Sequence, residues 1–312
     1  MSDITVVDQG GTADDGALDS DLLMVADATL TQSGPSRSLA QDAWRRFRRN
    51  KLALFGLALV SVLVLVAIVG PFLVQDPTKL SKFYLEGPTK QHPLGLDDRG
   101  GDVLARIVHG IRLSMVIGFV SAALQTVLGI VIGAIAGWYG RYVDAVLMRF
   151  VDIMLGIPYI ILAYAFITFL GKGVFAVIMT LALSSWLQTS RTVRAGFIQA
   201  KNLEYVEAAR ALGVSNARIM MRHILPNVLQ PVVVLLTIGI GSAILAEAAL
   251  SFLGVGVQPP QQSLGLMINN SKAFFSDAPY LLLFPGLAIV LTVLGFILVG
   301  DGLRDALDVK DN

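Results

Sequence analysis

Residues 204–227 read EYVEAARALGVSNARIMMRHILPN, a charged stretch of helix-forming residues set between two long apolar runs. From Glu204 to Leu212 the pattern suits a helix: Ala208, Ala209 and Leu212 make a small, partly apolar face, and Glu204, Glu207 and Arg210 stay in water. Gly213 supplies the permissive backbone of a helix end. Ser215 is placed to cap a second helix over 216–223, which Pro226 is expected to close. The stretch therefore predicts a short helical hairpin held outside the apolar phase. Two adjacent alanines let another surface approach closely, which fits docking better than catalysis.

The flanking chain says what that phase is. With 54% hydrophobic and 15% charged residues, the 312-residue sequence is too apolar for an ordinary soluble domain. Its mean hydropathy of +0.68 points to an integral membrane protein. Apolar runs of bilayer length lie at Leu52 to Val74, Leu113 to Gly137, Asp152 to Leu170, Gly173 to Thr189, Val228 to Leu250 and Tyr280 to Val299. Six crossings place both termini on one side. If that side is the cytoplasm, the inner segments hold sixteen Lys and Arg and the outer ones seven, with Arg112 at a boundary. The positive-inside rule thus puts both termini, and the hairpin, in the cytoplasm.

The domain reading follows from these runs. Residues 1–40 carry seven Asp against one Arg, without a sustained apolar period, and read as a disordered acidic cytoplasmic tail rather than a signal peptide. Residues 41–51 include AWRRFRRNK, in which Trp44 and Phe47 share a helix face among four arginines, as in an interfacial helix on anionic headgroups or, equally, a plain positive-inside anchor. The first crossing, 52–74, leads to an extracytoplasmic loop, 75–111, then to a membrane core, 112–304, with the hairpin region at 200–227, and a cytoplasmic tail at 305–312. Within the outer segment, Val103, Leu104, Ile107 and Val108 fall at helical spacing, a face that packs on the membrane core or meets an outside protein partner, with packing the expectation.

Catalytic and metal chemistry find little footing. There is no cysteine, and His92, His109 and His223 are not spaced as metal ligands. No GxxxxGK[ST], HExxH or GxSxG pattern occurs. A net charge of +1 gives no reason to expect a nucleic-acid partner. Glu247 stands apart, a carboxylate near the outer end of the fifth crossing. It either lines a path through the membrane or a partner interface, or it reaches the headgroup region or bonds a neighbouring backbone.

EAARALG at 207–213, followed by HILPN, resembles the EAA loop of the membrane subunits of bacterial ATP-binding-cassette (ABC) importers. Glu207, Ala208, Ala209, Gly213, Leu225 and Pro226 match that pattern in place, while His223 stands where it carries Ile. HPLGLDDRGGDVLARIVHGIRLSM at 92–115, GWYGRYVDAVLMRFVDIMLGIP at 137–158, EAALSFLGVGVQPP at 247–260 and GDGLRDALD at 300–308 resemble, in order and spacing, the C-type, second permease subunit of the dipeptide, oligopeptide and nickel family. The resemblance covers nearly everything after residue 40.

It implies an all-α integral membrane protein with six transmembrane helices of the type I ABC importer kind. It implies that the six matching residues couple the chain to an ATPase through a cytoplasmic helix. The expected partners are a homologous second permease, two ATP-binding subunits that hold ATP and Mg, an extracytoplasmic solute-binding protein, and membrane lipid. No cofactor is expected on this chain. Peptide is the expected cargo, with nickel or another small solute as the alternative, and the expected location is the bacterial plasma membrane. An ATP-independent channel or secondary transporter is the reading from another class, and it would need a coupling-ion site of its own.

Overall fold

The computed structural model describes residues 39–308, so the expected acidic tail lies almost entirely outside the described residues, as do the last four residues of the chain. The chain divides into one unit of Met1–Asp42 and a second of Ala43–Asn312. Described residues of the first unit are confined to the opening of α1 (Leu39–Phe47).

Among the described residues, four helices are long and apolar enough to cross a membrane: α2 (Lys51–Leu73), α3 (Val103–Tyr139), the run Asn216–Phe252, and α12 (Tyr280–Leu307). Their outward faces carry large apolar side chains, among them Phe55, Leu65, Ile68 and Phe72 of α2. Such surface is stable only against lipid or a partner. α2 starts cleanly because the Asn50 side chain accepts from the amides of Leu52 at 3.0 Å and Ala53 at 3.1 Å.

The expected third and fourth crossings take a different form. α4 (Arg141–Leu155) and α5 (Tyr159–Leu170) are bent by 99° at Gly156–Pro158. Proline has no amide to continue the ladder and disfavours helical backbone in the residue before it, so an apolar run that reads as one segment breaks there. α6 (Val174–Ser185) has only 12 residues, shorter than a bilayer crossing. It passes through a helical Trp186 into α7 (Leu187–Ala200), which carries the chain onward.

α3 begins at Val103, inside the segment assigned to the outer loop, because Asp102 caps it by accepting from the Ala105 amide at 2.9 Å. Val103, Ile107 and Ile111 are buried with Leu63, Leu264 and Leu281, so this extension packs on the core as its spacing predicts. At 37 residues α3 is about 55 Å long and extends beyond any bilayer. The loop before it folds back onto the bundle: the Tyr280 hydroxyl lies 2.9 Å from the carbonyls of both Glu86 and Leu96.

The most extensive helix pair is α3 with α7. Gly129, Gly133 and Gly137 recur every fourth residue along α3 and bring the two backbones together. A Cβ at Gly129 would sit 2.5 Å from Cβ of Thr189, and one at Gly137 2.6 Å from Cβ of Phe197. At the opposite end from the Tyr280 contacts, the Trp44 and Phe47 rings stack with centroids 5.9 Å apart. Phe47 is buried against Ala53 and Ala306, and Trp44 remains exposed, so the two rings do not share one fate. Phe47 therefore packs on the end of α12, and residues 305–307, expected in a tail, belong to that helix.

A candidate coupling hairpin and a central groove

The 204–227 stretch folds as two arms. α8 (Glu204–Ala211) buries Val206 and Ala209 and leaves Glu204, Glu207, Ala208 and Arg210 exposed. The adjacent alanines thus have different roles: Ala209 is 8% exposed within an apolar cluster, while Ala208 and Leu212, the latter 84% exposed, face outward. Gly213 adopts φ +75°. Its amide bonds the Arg210 carbonyl at 3.0 Å and the Val214 amide bonds that of Ala209 at 3.1 Å. This is the paired closure of a Schellman motif, in which Val214 returns to the same apolar cluster.

The second arm departs from expectation. Ser215 occupies the cap position of α9 (Asn216–Arg218), with its carbonyl, not its hydroxyl, accepting from the Ile219 amide at 3.0 Å. A π-helical turn, Ile219–Ile224, then leads directly into α10 (Leu225–Phe252). Pro226 begins a helix here; it does not close one. Its missing amide is tolerated here because the π turn just before it already shifts the regular hydrogen-bond ladder, the Leu225 amide bonding the Met220 carbonyl. The wider π turn brings residues five apart near one face, and Ile219 and Ile224 are both fully buried. The result is an uninterrupted run, Asn216–Phe252, from the hairpin into the bundle.

Three contacts hold the hairpin together and fix it to the body. The Arg210 guanidinium lies 5.2 Å from the centroid of the Trp138 ring, at the end of α3. Asn227 donates to the Tyr205 hydroxyl at 3.3 Å, joining the two arms. Val206, Ala209, Ile219, Ile224 and half-buried Leu225 form one cluster with Phe197 and Val228. Thr192 and Gln230 line a shallow groove with Arg304 and Asp308, so the hairpin lies at the end of the bundle where α12 terminates.

Glu247 is far from this site, about 30 Å further along α10. It has no exposed surface. Its carboxylate accepts from the Ser114 hydroxyl of α3 at 2.8 Å and from the Ser251 hydroxyl at 2.7 Å. The Ser251 oxygen in turn accepts from the Val257 amide at 3.1 Å. The carboxylate is enclosed by its own chain and links α3, α10 and the loop after α10.

A groove of about 490 Å³ opens near the middle of α3 and α10. Gln125, Tyr159, Ser185, Gln188, Thr189 and Ser242 supply its polar lining, and Leu235, Ile238 and Leu245 much of the apolar remainder. None of these was singled out from the sequence. The available signal was an amide or hydroxyl recurring within otherwise apolar runs.

Comparison with known proteins gives two sequence-family matches. "Binding-protein-dependent transport system inner membrane component" matches residues 129–310, and "N-terminal TM domain of oligopeptide transport permease C" matches residues 38–92. The dipeptide transport system permease protein DppC of Alkalihalophilus pseudofirmus is 42% identical, covering 86% of this chain and 90% of the relative. The oligopeptide transport system permease protein OppC of Bacillus subtilis is 37% identical, covering 89% and 92%. Among solved structures, an inward-facing conformation of the MetNI methionine ABC transporter matches with a TM-score of 0.52 and 21% identity, covering 64% of this chain and 95% of that one. That last likeness concerns the fold.

Proposed function

This chain belongs to the binding-protein-dependent transport system inner membrane components, and from that membership we propose that it is a permease subunit of an ATP-driven peptide importer. The dipeptide and oligopeptide permeases among its relatives support peptide as cargo. A homologous permease completes the path across the bacterial plasma membrane, and a solute-binding protein delivers cargo from outside. ATP is bound and hydrolysed on two partner subunits. The hairpin faces the cytoplasm, as do both termini, in keeping with the Lys and Arg count.

The observation that carries the mechanism is the unbroken helical run from Asn216 to Phe252. One end is the second arm of the hairpin, and its middle lines the central groove. Exposed Glu207, Ala208 and Leu212 form the surface that enters the ATPase subunit; Ala209 and Gly213 set its shape, and Leu225 and Pro226 join it to α10. Closure of the ATPase pair moves α8, the Arg210–Trp138 and Tyr205–Asn227 contacts pass that movement on, and α10 re-aims the groove. Glu247 acts as a buried link that keeps the far end of α10 on α3.

The test is uptake by the complex purified with its native partners and reconstituted in vesicles. ATP-dependent uptake of a labelled peptide is expected. Uptake that persists without the ATPase subunits would point to an ATP-independent transporter, and uptake of nickel in place of peptide would replace the cargo.

A further inference from the structure

Deep apolar segments carry exposed polar side chains only where lipid does not reach them, because an amide or hydroxyl facing hydrocarbon loses its hydrogen bonds. Gln188, Ser242 and Tyr159 are exposed at the groove, and Gln125 reaches it from α3. Gly239 makes room for that reach: a Cβ there would lie 2.7 Å from Nε2 of Gln125. Among the described residues, neither the Gln125 nor the Gln188 amide has a hydrogen-bond partner. The groove thus presents two unused carboxamides, and none of its lining residues is charged.

Resting on the peptide-importer reading, we propose that Gln125 and Gln188 form an uncharged station that pairs with the main chain of the passing peptide. A carboxamide carries the same donor and acceptor groups as a peptide unit, so it can exchange hydrogen bonds with any peptide regardless of its side chains. Neutral hydrogen bonds are weak enough to be released at each step. A carboxylate or guanidinium in the same place would hold cargo of one charge and reject the other. A divalent cation would find no carboxylate or imidazole on this lining.

The experiment uses the reconstituted complex with saturating peptide-loaded binding protein and measures peptide taken up per ATP hydrolysed. In the Gln125→Leu/Gln188→Leu double variant that ratio is expected to fall about tenfold, the worth of two neutral hydrogen bonds. The Asn counterparts should recover part of it. Gln188 is exposed, so Gln188→Leu alone gives the smaller fall expected of one bond and keeps the test decisive should the double variant fail to assemble. An unchanged ratio in assembled Leu variants overturns the proposal. So does failure of the Gln188→Leu subunit to co-purify with its partner permease, which would assign the amides to the subunit interface. Absence of peptide uptake by the wild-type complex is a separate result, overturning the peptide reading itself and this proposal with it.

Discussion

The Arg210 guanidinium lies 5.2 Å from the centroid of the Trp138 ring, tying the short helix α8 to the end of α3. This contact holds an exposed element to the bundle by a face-on cation and ring. Removing either partner loosens the hairpin without unfolding it, since exposed cation–π pairs contribute about 0.5–1 kcal/mol and the buried cluster beneath α8 remains. Trp138→Ala and Arg210→Ala are expected to insert and to keep the ATPase subunits, but to transport less peptide per ATP. The double variant should be no worse than the worse single one, and additive losses would disprove the coupling of the two residues.

The two alanines should separate docking from folding. Ala208→Trp adds bulk on the exposed face and is expected to release the ATPase subunits while the permease keeps its thermal stability. Ala209→Trp forces a large ring into a closed apolar cluster and should destabilise the hairpin by about 1–3 kcal/mol, seen as lower Tm in detergent and faster proteolysis around residue 213. Equal behaviour of the two variants in both assays would contradict their opposite orientation.

At Gly213 the space around the Cα is open, and the strain on substitution comes from φ +75° alone. Gly213→Val is expected to weaken the turn by roughly 1–2 kcal/mol and to reduce uptake strongly. Asn tolerates left-handed backbone, so Gly213→Asn should retain much of it. If Val and Asn behave alike, the turn is not what transmits the motion.

Glu247 offers a test of burial against charge. Glu247→Gln keeps size and hydrogen-bonding capacity toward the two serine hydroxyls, which can rotate to donate or accept, and should remain close to wild type in uptake. Glu247→Ala leaves a cavity and two serines without their acceptor, with an expected loss of about 2–4 kcal/mol in thermal unfolding of the purified subunit. A severe uptake defect in Glu247→Gln with normal stability would instead mean that the charge itself serves transport.

The glycine repeat of α3 gives a prediction about assembly. Gly129→Leu places a branched side chain where even a Cβ would meet Thr189 at 2.5 Å, and α3 and α7 must separate. The variant is expected to accumulate poorly in membranes, with Gly129→Ala intermediate, as judged by the yield of folded subunit on gel filtration.

Much of this was legible in the sequence. Local rules suffice for apolar runs of bilayer length, for the Lys and Arg asymmetry, and for a glycine after a run of helix formers. These rules located the four long helices, the helical extension from Val103, and the turn at Gly213. The family followed from the residues at 204–227 and the four further stretches.

Other features depend on what each side chain meets across the bundle. Ala208 and Ala209 are one residue apart and chemically identical, yet only contact with Ile219, Ile224 and Phe197 decides which of them is buried. Pro226 reads as a stop by itself, but the π turn before it makes it the start of a helix. Glu247 looks out of place in an apolar run until Ser114, 133 residues away, donates to it. Gln125 becomes a lining group because Gly239 on another helix leaves room for its amide. Sequence periodicity fixes which residues share a helix face, whereas the solvent, lipid or side chain opposite that face is set by long-range packing, which no local pattern encodes.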